Sequence, residues 1–326
     1  MLQSVGLPIL QRHSRRAPQI DAPWWNRQRL QLSTLKLRMH QPDHAWLDAQ
    51  YNNRARVPEH AAILERWGRA SAEARERSSC QVDVPYGAGP NETLDLFSTA
   101  HPNAPVLVFV HGGWWRSLDK RDHSFIAPPF TEAGAMVVVP NYSLCPAVTI
   151  ETITLQMVDA LAWVYRHAAL HGSDPARIVV VGHSAGGHLA AMLLTCRWKQ
   201  VGSDLPERLV NSALSISGVF DLEPLRHTPL LRSALRLTPA SAKRLSPVRF
   251  PPPKGRLFAV VGADESEEHL RQNRLIREAW GERSVPVCET IPGRHHFGVV
   301  DALADPSAHL HRLTLGLLGL TQTGTS

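Results

Sequence analysis

A serine near the middle of the chain lies in a pattern that is typical of a catalytic nucleophile. The pentapeptide Gly182-His183-Ser184-Ala185-Gly186 follows an apolar, β-branched run at 178–181, and a helix-forming stretch at 188–194 comes after it. A Gly-x-Ser-x-Gly motif between a strand and a helix is the context of a nucleophile elbow, which presents the hydroxyl at a helix N-terminus. Free N–H groups and the helix dipole favour negative charge there. The sequence therefore predicts Ser184 as a nucleophile; the alternative is a glycine-rich turn that holds a structural serine.

A second glycine motif lies upstream and could supply hydrogen-bond donors to this chemistry. The sequence His111-Gly112-Gly113-Trp114-Trp115 follows directly on an apolar run. A serine nucleophile needs N–H groups that stabilise a tetrahedral oxyanion, and glycines after a buried strand leave such groups approachable. We predict the N–H groups of Gly113, Trp114 and Ala185 as donors, with Gly112 giving the turn its freedom. The alternative is a glycine turn followed by core tryptophans.

A histidine doublet, His295-His296, follows the last predicted strand at 287–291, and Phe297 comes directly after it. A nucleophilic serine needs a general base. In the chain order serine, acid, histidine, this base lies in a loop near the C-terminus. Among the 17 histidines of the chain, we predict His296, which stands at the entry to a helical pattern, as the base.

Two adjacent carboxylates, Asp264 and Glu265, follow the strand predicted at 257–261. The acid that orients the histidine is expected in this loop. Aspartate is the commoner acid in such triads and favours Asp264, whereas the spacing from Gly262 favours Glu265. Adjacent side chains diverge, so only one of them can hold the imidazole. We predict Glu265 and keep Asp264 as the alternative; the remaining carboxylate would be a solvated charge or a helix cap.

Strands and helices that could position these residues alternate from residue 80 onward. Extended segments are predicted at 81–85, 93–98, 106–110, 136–139, 177–181, 213–217, 257–261 and 287–291, and helices at 152–171, 185–198, 267–280 and 299–318. The central strands are short and continuously apolar, as is typical of a parallel sheet covered by helices on both faces. The first two alternate more and suit an antiparallel edge hairpin. The order predicts a doubly wound α/β domain.

Two regions fall outside this alternation. Residues 44–77 are predicted to form one or two helices, and residues 222–254, which are rich in Pro, Arg and Leu, interrupt the scaffold between the sixth and seventh strands. A loop of that length is more often a lid than a simple connection. We predict that both regions are cap elements.

Taken together, the motifs resemble those of the kynurenine formamidase (arylformamidase) group of α/β-hydrolases, which is close to the hormone-sensitive-lipase-like esterases. The resemblance spans about 45–310 and is carried by 111–115, 182–189, 217–225, Tyr51-Asn52-Asn53-Arg54, Arg271-Gln272 and His296-Phe297. It implies an α/β-hydrolase fold with a mostly parallel eight-stranded sheet, helices on both faces and a small helical cap. An ungapped alignment on Arg271-Gln272 places the acid of the group at Glu265. The group usually has an acidic or small residue where this chain has His295.

The resemblance also implies a reaction. If it extends to the substrate, the chain hydrolyses N-formyl-kynurenine to formate and kynurenine, with no metal or organic cofactor. A broad-specificity short-chain carboxylesterase uses the same machinery and remains an alternative, and a non-catalytic binding protein with a hydrolase fold is a more remote one. The expected partner is a small-molecule aryl formamide or ester. The sequence leaves the oligomeric state open, with a homodimer as one alternative.

Charge and composition set limits on other functions. The net charge of +6 resides in residues 1–40, so we interpret these as a basic, poorly ordered leader before a neutral body. A single α/β-hydrolase domain is then expected at 41–320, with a tail at 321–326, and neither nucleic-acid nor membrane binding is expected. The four cysteines, without a C-x-x-C pair, suit a reducing compartment. With no apolar run of membrane-spanning length and no secretory signal, we expect a cytoplasmic location.

Overall fold

The computed structural model describes residues 43–320. The predicted leader at 1–40 and the tail at 321–326 therefore lie outside the described residues. Within the described part, no helix combines the length and the apolar character that crossing a bilayer requires.

Eight strands form one sheet at the centre of this region. They are β1 Cys80–Pro85, β2 Thr93–Phe97, β3 Ala104–Val110, β4 Met136–Pro140, β5 Ser173–His183, β6 Ser212–Ile216, β7 Arg256–Gly262 and β8 Val287–Ile291. The sheet order is β1-β2-β4-β3-β5-β6-β7-β8. β2 pairs antiparallel with β1 and β4, and every other pairing is parallel. The predicted edge hairpin and mostly parallel sheet are confirmed, and the order is that of an α/β-hydrolase.

The central strands are buried on both faces because helices cover both sides of the sheet. On one face, Leu107 and Phe109 of β3 belong to an apolar cluster with Trp67 and residues from the C-terminal helices. Val106 and Val108 alternate with them and are equally buried. Helices α5 (Ile150–His167) and α6 (Ala185–Leu194) pack on β5. This burial explains why the strands read as continuous apolar runs rather than alternating ones.

The remaining helices differ in several places from the lengths that the sequence patterns suggest. They are α1 His44–Tyr51, α2 Asn53–Arg56, α3 His60–Arg77, α4 Ala127–Glu132, α7 Trp198–Val201, α8 Pro229–Leu235, α9 Pro239–Arg244, α10 Glu267–Ser284, α11 Gly298–Ala304 and α12 His309–Leu318. The prediction of one helix at 299–318 was wrong, because Pro306 holds the preceding Asp305 in an extended conformation (φ −89°, ψ 109°). Residues 44–77 likewise form three helices, and Val57 (φ −124°, ψ 85°), which precedes Pro58, separates the last two.

Two other predicted helices also end early. The α-helix of the 152–171 segment ends at His167 and continues as a 3₁₀ turn, Ala168–His171. α6 ends at Leu194, and of the residues predicted to extend it only Trp198 is helical, as the first residue of the separate helix α7. α10 fits the predicted 267–280 more closely, because Gly281 (φ 73°, ψ 167°) breaks the helical conformation directly after it.

The two regions predicted as cap elements contact each other. Residues 222–254 form 3₁₀ turns at Pro224–His227 and Pro247–Arg249 on either side of α8 and α9. The N–H of Leu230 in α8 donates to Oδ1 of Asp48 in α1 at 2.9 Å. Both regions therefore reach the same side of the domain, beyond the carboxyl ends of the parallel strands.

Candidate active site

Ser184 lies at a strained turn between β5 and α6. Its φ of 56° and ψ of −116° are unusual for a residue other than glycine. Its N–H donates to the carbonyl of Ile216 at 2.8 Å, and its own carbonyl accepts from the N–H of His188 at 3.1 Å. The surrounding strand and helix thus hold a conformation that an isolated chain would avoid, as is common at functional sites.

The glycines of the pentapeptide are required by close backbone contacts. A Cβ atom on Gly182 would lie 2.1 Å from the carbonyl oxygen of Gly186, and one on Gly186 would lie 2.0 Å from that of Val110. Both distances are far below van der Waals contact. The turn can form only without side chains at these two positions, which accounts for the motif.

His296 and Glu265 form the expected acid–base pair. Nδ1 of His296 lies 2.6 Å from Oε2 of Glu265, and both side chains are buried. Since a carboxylate only accepts hydrogen bonds, Nδ1 carries the proton and Nε2 is the basic nitrogen of the neutral ring. Ser184 and His296 line the same cavity, although no direct hydrogen bond between them is formed in the described part of the chain. Catalytic hydrogen bonds are often long before substrate binds.

The structure does not bring the alternative acid, Asp264, to the histidine. Asp264 is exposed, and its N–H donates to the carbonyl of Arg294 at 3.1 Å. Glu265 turns inward instead, because its N–H donates to the carbonyl of Gly262 and thereby folds the chain back after β7. The spacing argument thus favoured the carboxylate that contacts His296, and the choice of Glu265 as the acid stays a prediction.

Glu265 has further partners that sequence reasoning missed. Oε1 accepts hydrogen bonds from Oγ of Ser217 at 2.5 Å and from the N–H of Gly262 at 2.8 Å. Ser217 directly follows β6, which was the available signal, but a serine after a strand is too common to stand out. These donors stabilise the ionised carboxylate and fix its orientation toward the ring of His296.

A second imidazole also faces the acid. Nδ1 of the fully buried His269 lies 3.7 Å from Oε2 of Glu265, and Nε2 lies 3.2 Å from Nδ2 of Asn53. Because the amide nitrogen donates, Nε2 accepts and the proton resides on Nδ1, toward the carboxylate. The four-residue spacing from Glu265 was a signal in the sequence. His269 therefore links the acid to the cap residue Asn53.

Tyr51, which belongs to the Tyr-Asn-Asn-Arg motif, anchors α1 on α10. Its hydroxyl donates to Oε2 of Glu268 at 2.6 Å and accepts from Nε2 of Gln272 at 3.2 Å. Arg271 donates to both carboxylate oxygens of Glu268. Burial, together with the charge of Glu268, raises the pKa of Tyr51 well above its usual value. The motif residues Tyr51, Arg271 and Gln272 thus have a structural role beside the site.

The predicted oxyanion turn lies against the nucleophile. A Cβ on Gly112 would come within 3.0 Å of the Cβ of Ser184, and Gly113 has a φ of 101°. The turn is closed by the carbonyl of Gly113, which accepts from the N–H groups of Arg116 and Ser117 at 3.0 and 3.1 Å. Among residues 43–320, none of the three predicted donors, the N–H groups of Gly113, Trp114 and Ala185, forms a hydrogen bond. They are available to an oxyanion.

The two tryptophans of this motif have different surroundings. Trp114 lines the cavity and packs edge-on against Tyr51, with ring centroids 5.6 Å apart. Trp115 is fully buried in the core and packs against His188, with ring centroids 5.0 Å apart. The core interpretation therefore applies to Trp115, whereas Trp114 lines the cavity.

A cavity of about 380 Å³ connects these residues. Its lining consists of Tyr51, Asn52, Asn53, Arg54, Leu64, Trp67, Gly113, Trp114, Arg116, Ser117, Leu118, His183, Ser184, Leu230, His296 and Phe297. The lining includes residues from both predicted cap regions. The volume of the cavity suits a small organic molecule.

The histidines in and beside the cavity are neutral at pH 7. Burial, reinforced by neighbouring His295, lowers the pKa of His296 from 6.5 to about 3. Burial lowers the pKa of His183 to about 3 and that of His269 to about 4, in both cases reinforced by His296. A base must be unprotonated to accept a proton, and the lowered pKa values keep these rings unprotonated at neutral pH.

His295 replaces the residue that usually precedes the base, and it caps a helix. Its Nδ1 accepts from the N–H groups of Phe297 and Gly298 at 3.3 and 3.1 Å, at the start of α11. Its Nε2 lies 3.7 Å from Oε1 of Glu59. An acidic residue at a helix N-terminus would accept the same hydrogen bonds.

Three side chains at the centre of the site are of types that can bind a metal ion. Glu265, His269 and His296 each present one ligand atom within 4.8 Å of the others. The 2.6 Å hydrogen bond between His296 and Glu265 engages two of these atoms with each other. The arrangement therefore fits a histidine oriented by a carboxylate.

Known proteins similar to this chain are hydrolases. The BD-FAE family profile matches residues 94–237. Kynurenine formamidase of Danio rerio is 30% identical over 260 residues, which cover 76% of this chain and 86% of the relative. Kynurenine formamidase of Salmo salar is 29% identical over 256 residues, 76% of this chain and 84% of the relative. A crystal structure of a candidate thioesterase from Silicibacter sp. TM1040 is 31% identical with a TM-score of 0.71, and the match covers 84% of this chain and 98% of that chain.

These similarities, with the sheet order, confirm the resemblance inferred from the motifs. The protein is a hydrolase of the formamidase and esterase type with the α/β-hydrolase fold. The chain belongs to the kynurenine formamidase family of α/β-hydrolases.

Proposed function

We propose that this enzyme is an arylformamidase that hydrolyses N-formyl-kynurenine to kynurenine and formate, with Ser184 as nucleophile, His296 as base and Glu265 as acid. The observation that carries the proposal is the 2.6 Å contact between His296 and Glu265 in a cavity that the strained Ser184 also lines. The names of the relatives support the choice of substrate.

In the first half of the reaction, Nε2 of His296 takes the proton of the Ser184 hydroxyl while the oxygen attacks the formyl carbon. Glu265 keeps the proton of the imidazole on Nδ1 and stabilises the imidazolium that forms. The carbonyl oxygen becomes an oxyanion that accepts hydrogen bonds from the turn at Gly113 and Trp114 and from Ala185. Each such donor contributes ~3 kcal/mol to the transition state.

The tetrahedral intermediate then collapses. The bond from carbon to the aryl nitrogen breaks, His296 gives its proton to that nitrogen, and kynurenine leaves as the free amine. A formyl ester on Ser184 remains. Water, deprotonated by His296, attacks this ester, and formate leaves as the proton returns to Ser184. The steps use no metal ion or organic cofactor.

Trp114, which follows Gly113 in the predicted oxyanion turn, limits the size of the acyl group that the site accepts. Trp114 lines the cavity one residue after Gly113 and packs on Tyr51, so a bulky ring occupies space near the carbonyl of the substrate. A formyl group carries only a hydrogen on its carbonyl carbon and needs no acyl pocket. This feature supports a formamide over an ester with a long acyl chain.

A comparison of substrates tests the proposal. We expect purified enzyme to show a kcat/KM on N-formyl-kynurenine at least tenfold above that on phenyl acetate, and Ser184→Ala to lose both activities. Equal or better turnover of the ester would overturn the formamidase assignment in favour of a short-chain carboxylesterase. A serine-directed phosphonate should label Ser184; an unlabelled, folded protein would indicate a non-catalytic binding protein.

The proposal also covers the cellular location and the partners of the enzyme. Its four cysteines are free, in keeping with a reducing compartment, and we infer a cytoplasmic location. A homodimer and the absence of nucleic-acid binding remain predictions from the sequence. Light scattering of the full chain and a salt-dependent DNA-binding assay test them.

A further inference from the structure

Two arginines line the cavity, and no acidic residue of the described chain does. Arg54 belongs to α2, and Arg116 follows the oxyanion turn. The two line the same cavity as Ser184 and His296. His183 and His296 are neutral at pH 7, because burial lowers their pKa. The net charge of the lining is therefore positive, and it comes from these two guanidinium groups.

The two guanidinium groups line one cavity and carry like charges. Burial, and after it the charge of Arg54, lowers the pKa of Arg116 below its usual value. Arg116 is half-buried, and its Nη1 donates to the carbonyl of Leu230 at 2.8 Å. Within residues 43–320, neither guanidinium forms an ion pair with a carboxylate.

Arg54 is exposed and Arg116 is half-buried. An anion that binds in the cavity would therefore be attracted by both charges. By contrast, some other arginines near the cap have acidic partners, such as Arg66 with Asp301, Arg69 with Glu65 and Arg271 with Glu268. A guanidinium presents a planar fork of N–H donors that matches a carboxylate. The guanidinium groups of Arg54 and Arg116, which have no acidic partner among the described residues, are thus suited to bind the carboxylate of a ligand.

We propose that Arg54 and Arg116 form a subsite for a carboxylate on the leaving group of the substrate, so that the enzyme selects acyl compounds whose released amine or alcohol carries a carboxylate. This inference rests on the proposed function, because it takes Ser184 as the point of attack. Kynurenine, the amine released from N-formyl-kynurenine, carries a carboxylate. A neutral aryl ester has nothing to place at this subsite.

Matched substrates that differ only in this charge test the inference. One pair is N-formyl-kynurenine and its methyl ester, and the other is 4-acetoxybenzoate and its methyl ester, with phenol release as the readout. We expect wild-type kcat/KM to be at least tenfold higher for the acid in each pair. Arg54→Gln and Arg116→Gln should each reduce this ratio by raising KM for the acid, and the double variant should bring it to about one.

Several variants separate charge from folding. Arg54→Lys and Arg116→Lys keep the charge and should retain part of the preference for the acid. Arg69→Gln removes an exposed arginine outside the cavity and should leave the ratio unchanged. In Arg69→Gln, kcat/KM for every substrate should stay within twofold of wild type. In the Arg54 and Arg116 variants, acid and methyl ester are compared on the same folded protein, so a general loss of activity cancels from the ratio.

The outcomes also separate this inference from the proposed function. Cleavage of the acetate pair without cleavage of the formamide would overturn the formamidase assignment while the acetate ratio still tests the subsite. If neither pair is cleaved, calorimetry of wild type with kynurenine and its methyl ester decides, and tighter binding of the acid that depends on Arg54 supports the subsite. Equal kcat/KM or affinity for acid and ester in wild type, or a preference that survives the double variant, would overturn it.

Discussion

Nδ1 of His296 donates to Oε2 of Glu265 across 2.6 Å. This contact fixes which nitrogen of the ring is basic and directs that nitrogen away from the carboxylate. It also joins two loops that follow β7 and β8, which are neighbouring parallel strands. The carboxyl ends of parallel strands meet at one edge of the sheet, and this topology brings the acid and the base together.

The first prediction concerns the choice between two adjacent carboxylates. Glu265→Gln removes the acceptor of the Nδ1 proton and favours the wrong tautomer, so we expect kcat to fall by about 10³- to 10⁴-fold, as when the acid of a serine-protease triad is changed to its amide. Asp264→Asn is the matched control, because Asp264 is exposed; its kcat should stay within twofold of wild type. A larger loss in Asp264→Asn than in Glu265→Gln would contradict this assignment.

The second prediction concerns the hydroxyl that holds Glu265. Ser217→Ala removes the 2.5 Å hydrogen bond to Oε1. A hydrogen bond to a charged group contributes about 1.5–3 kcal/mol, and the Gly262 N–H remains, so we expect kcat on phenyl acetate to fall about tenfold with little change in KM.

Ser215→Ala is the control for Ser217→Ala. Ser215 is also a buried serine of this region, but its Oγ has no hydrogen-bond partner among the described residues. Its substitution should leave kcat within twofold. Equal effects of the two substitutions on kcat would show that the hydroxyl only fills space.

The sheet and the elbow could be predicted from the sequence because their signals are local. Continuous β-branched runs such as 178–181 reflect strands that are buried on both faces. The glycines at 182 and 186 reflect backbone contacts within the same turn. The contact between His296 and Glu265 could be expected because both residues follow neighbouring strands. The proline at 306 was a local signal as well, and it should have divided the last helix.

The contacts of the acid could not be predicted in the same way. Ser217 and His269 reach Glu265 from different elements, and each residue type is common in such positions. The contact of Tyr51 with Glu268 joins residues 217 positions apart. Partners of this kind depend on how elements pack, which one sequence does not encode in any short pattern. Whether Arg54 has an acidic partner likewise becomes clear only when the positions of the neighbouring carboxylates are known.

The third prediction concerns the pH dependence of activity. Burial lowers the pKa of His296, and the base acts in its neutral form. Activity falls only when His296 becomes protonated. A lowered pKa therefore moves the acid limb of the pH profile of kcat/KM below pH 6.5. We expect kcat/KM on phenyl acetate, which has no titrating group, to be constant from pH 8 to 6.5 and to fall at lower pH.

Acid unfolding must be separated from this protonation. Enzyme held at each low pH and assayed after return to pH 7.5 should recover full activity over the range in which kcat/KM falls. A reversible half-maximal point above pH 6.5 would mean that the charge of Glu265 outweighs burial at His296.

The fourth prediction compares two glycines that lie in helices. In Gly186→Ala the new Cβ would lie 2.0 Å from the carbonyl oxygen of Val110, which is backbone of the neighbouring strand β3 and cannot move away. Overpacking of this kind costs at least about 1–3 kcal/mol, so the melting temperature should fall by several degrees. In Gly316→Ala, on an exposed turn of α12, nothing lies within 4 Å of the new Cβ. Alanine lowers the entropy of the unfolded chain and should stabilise the protein by about 0.5–1 kcal/mol. Denaturant unfolding of the two variants measures both effects, and a Gly186→Ala protein as stable as wild type would show that the elbow relaxes without its glycine.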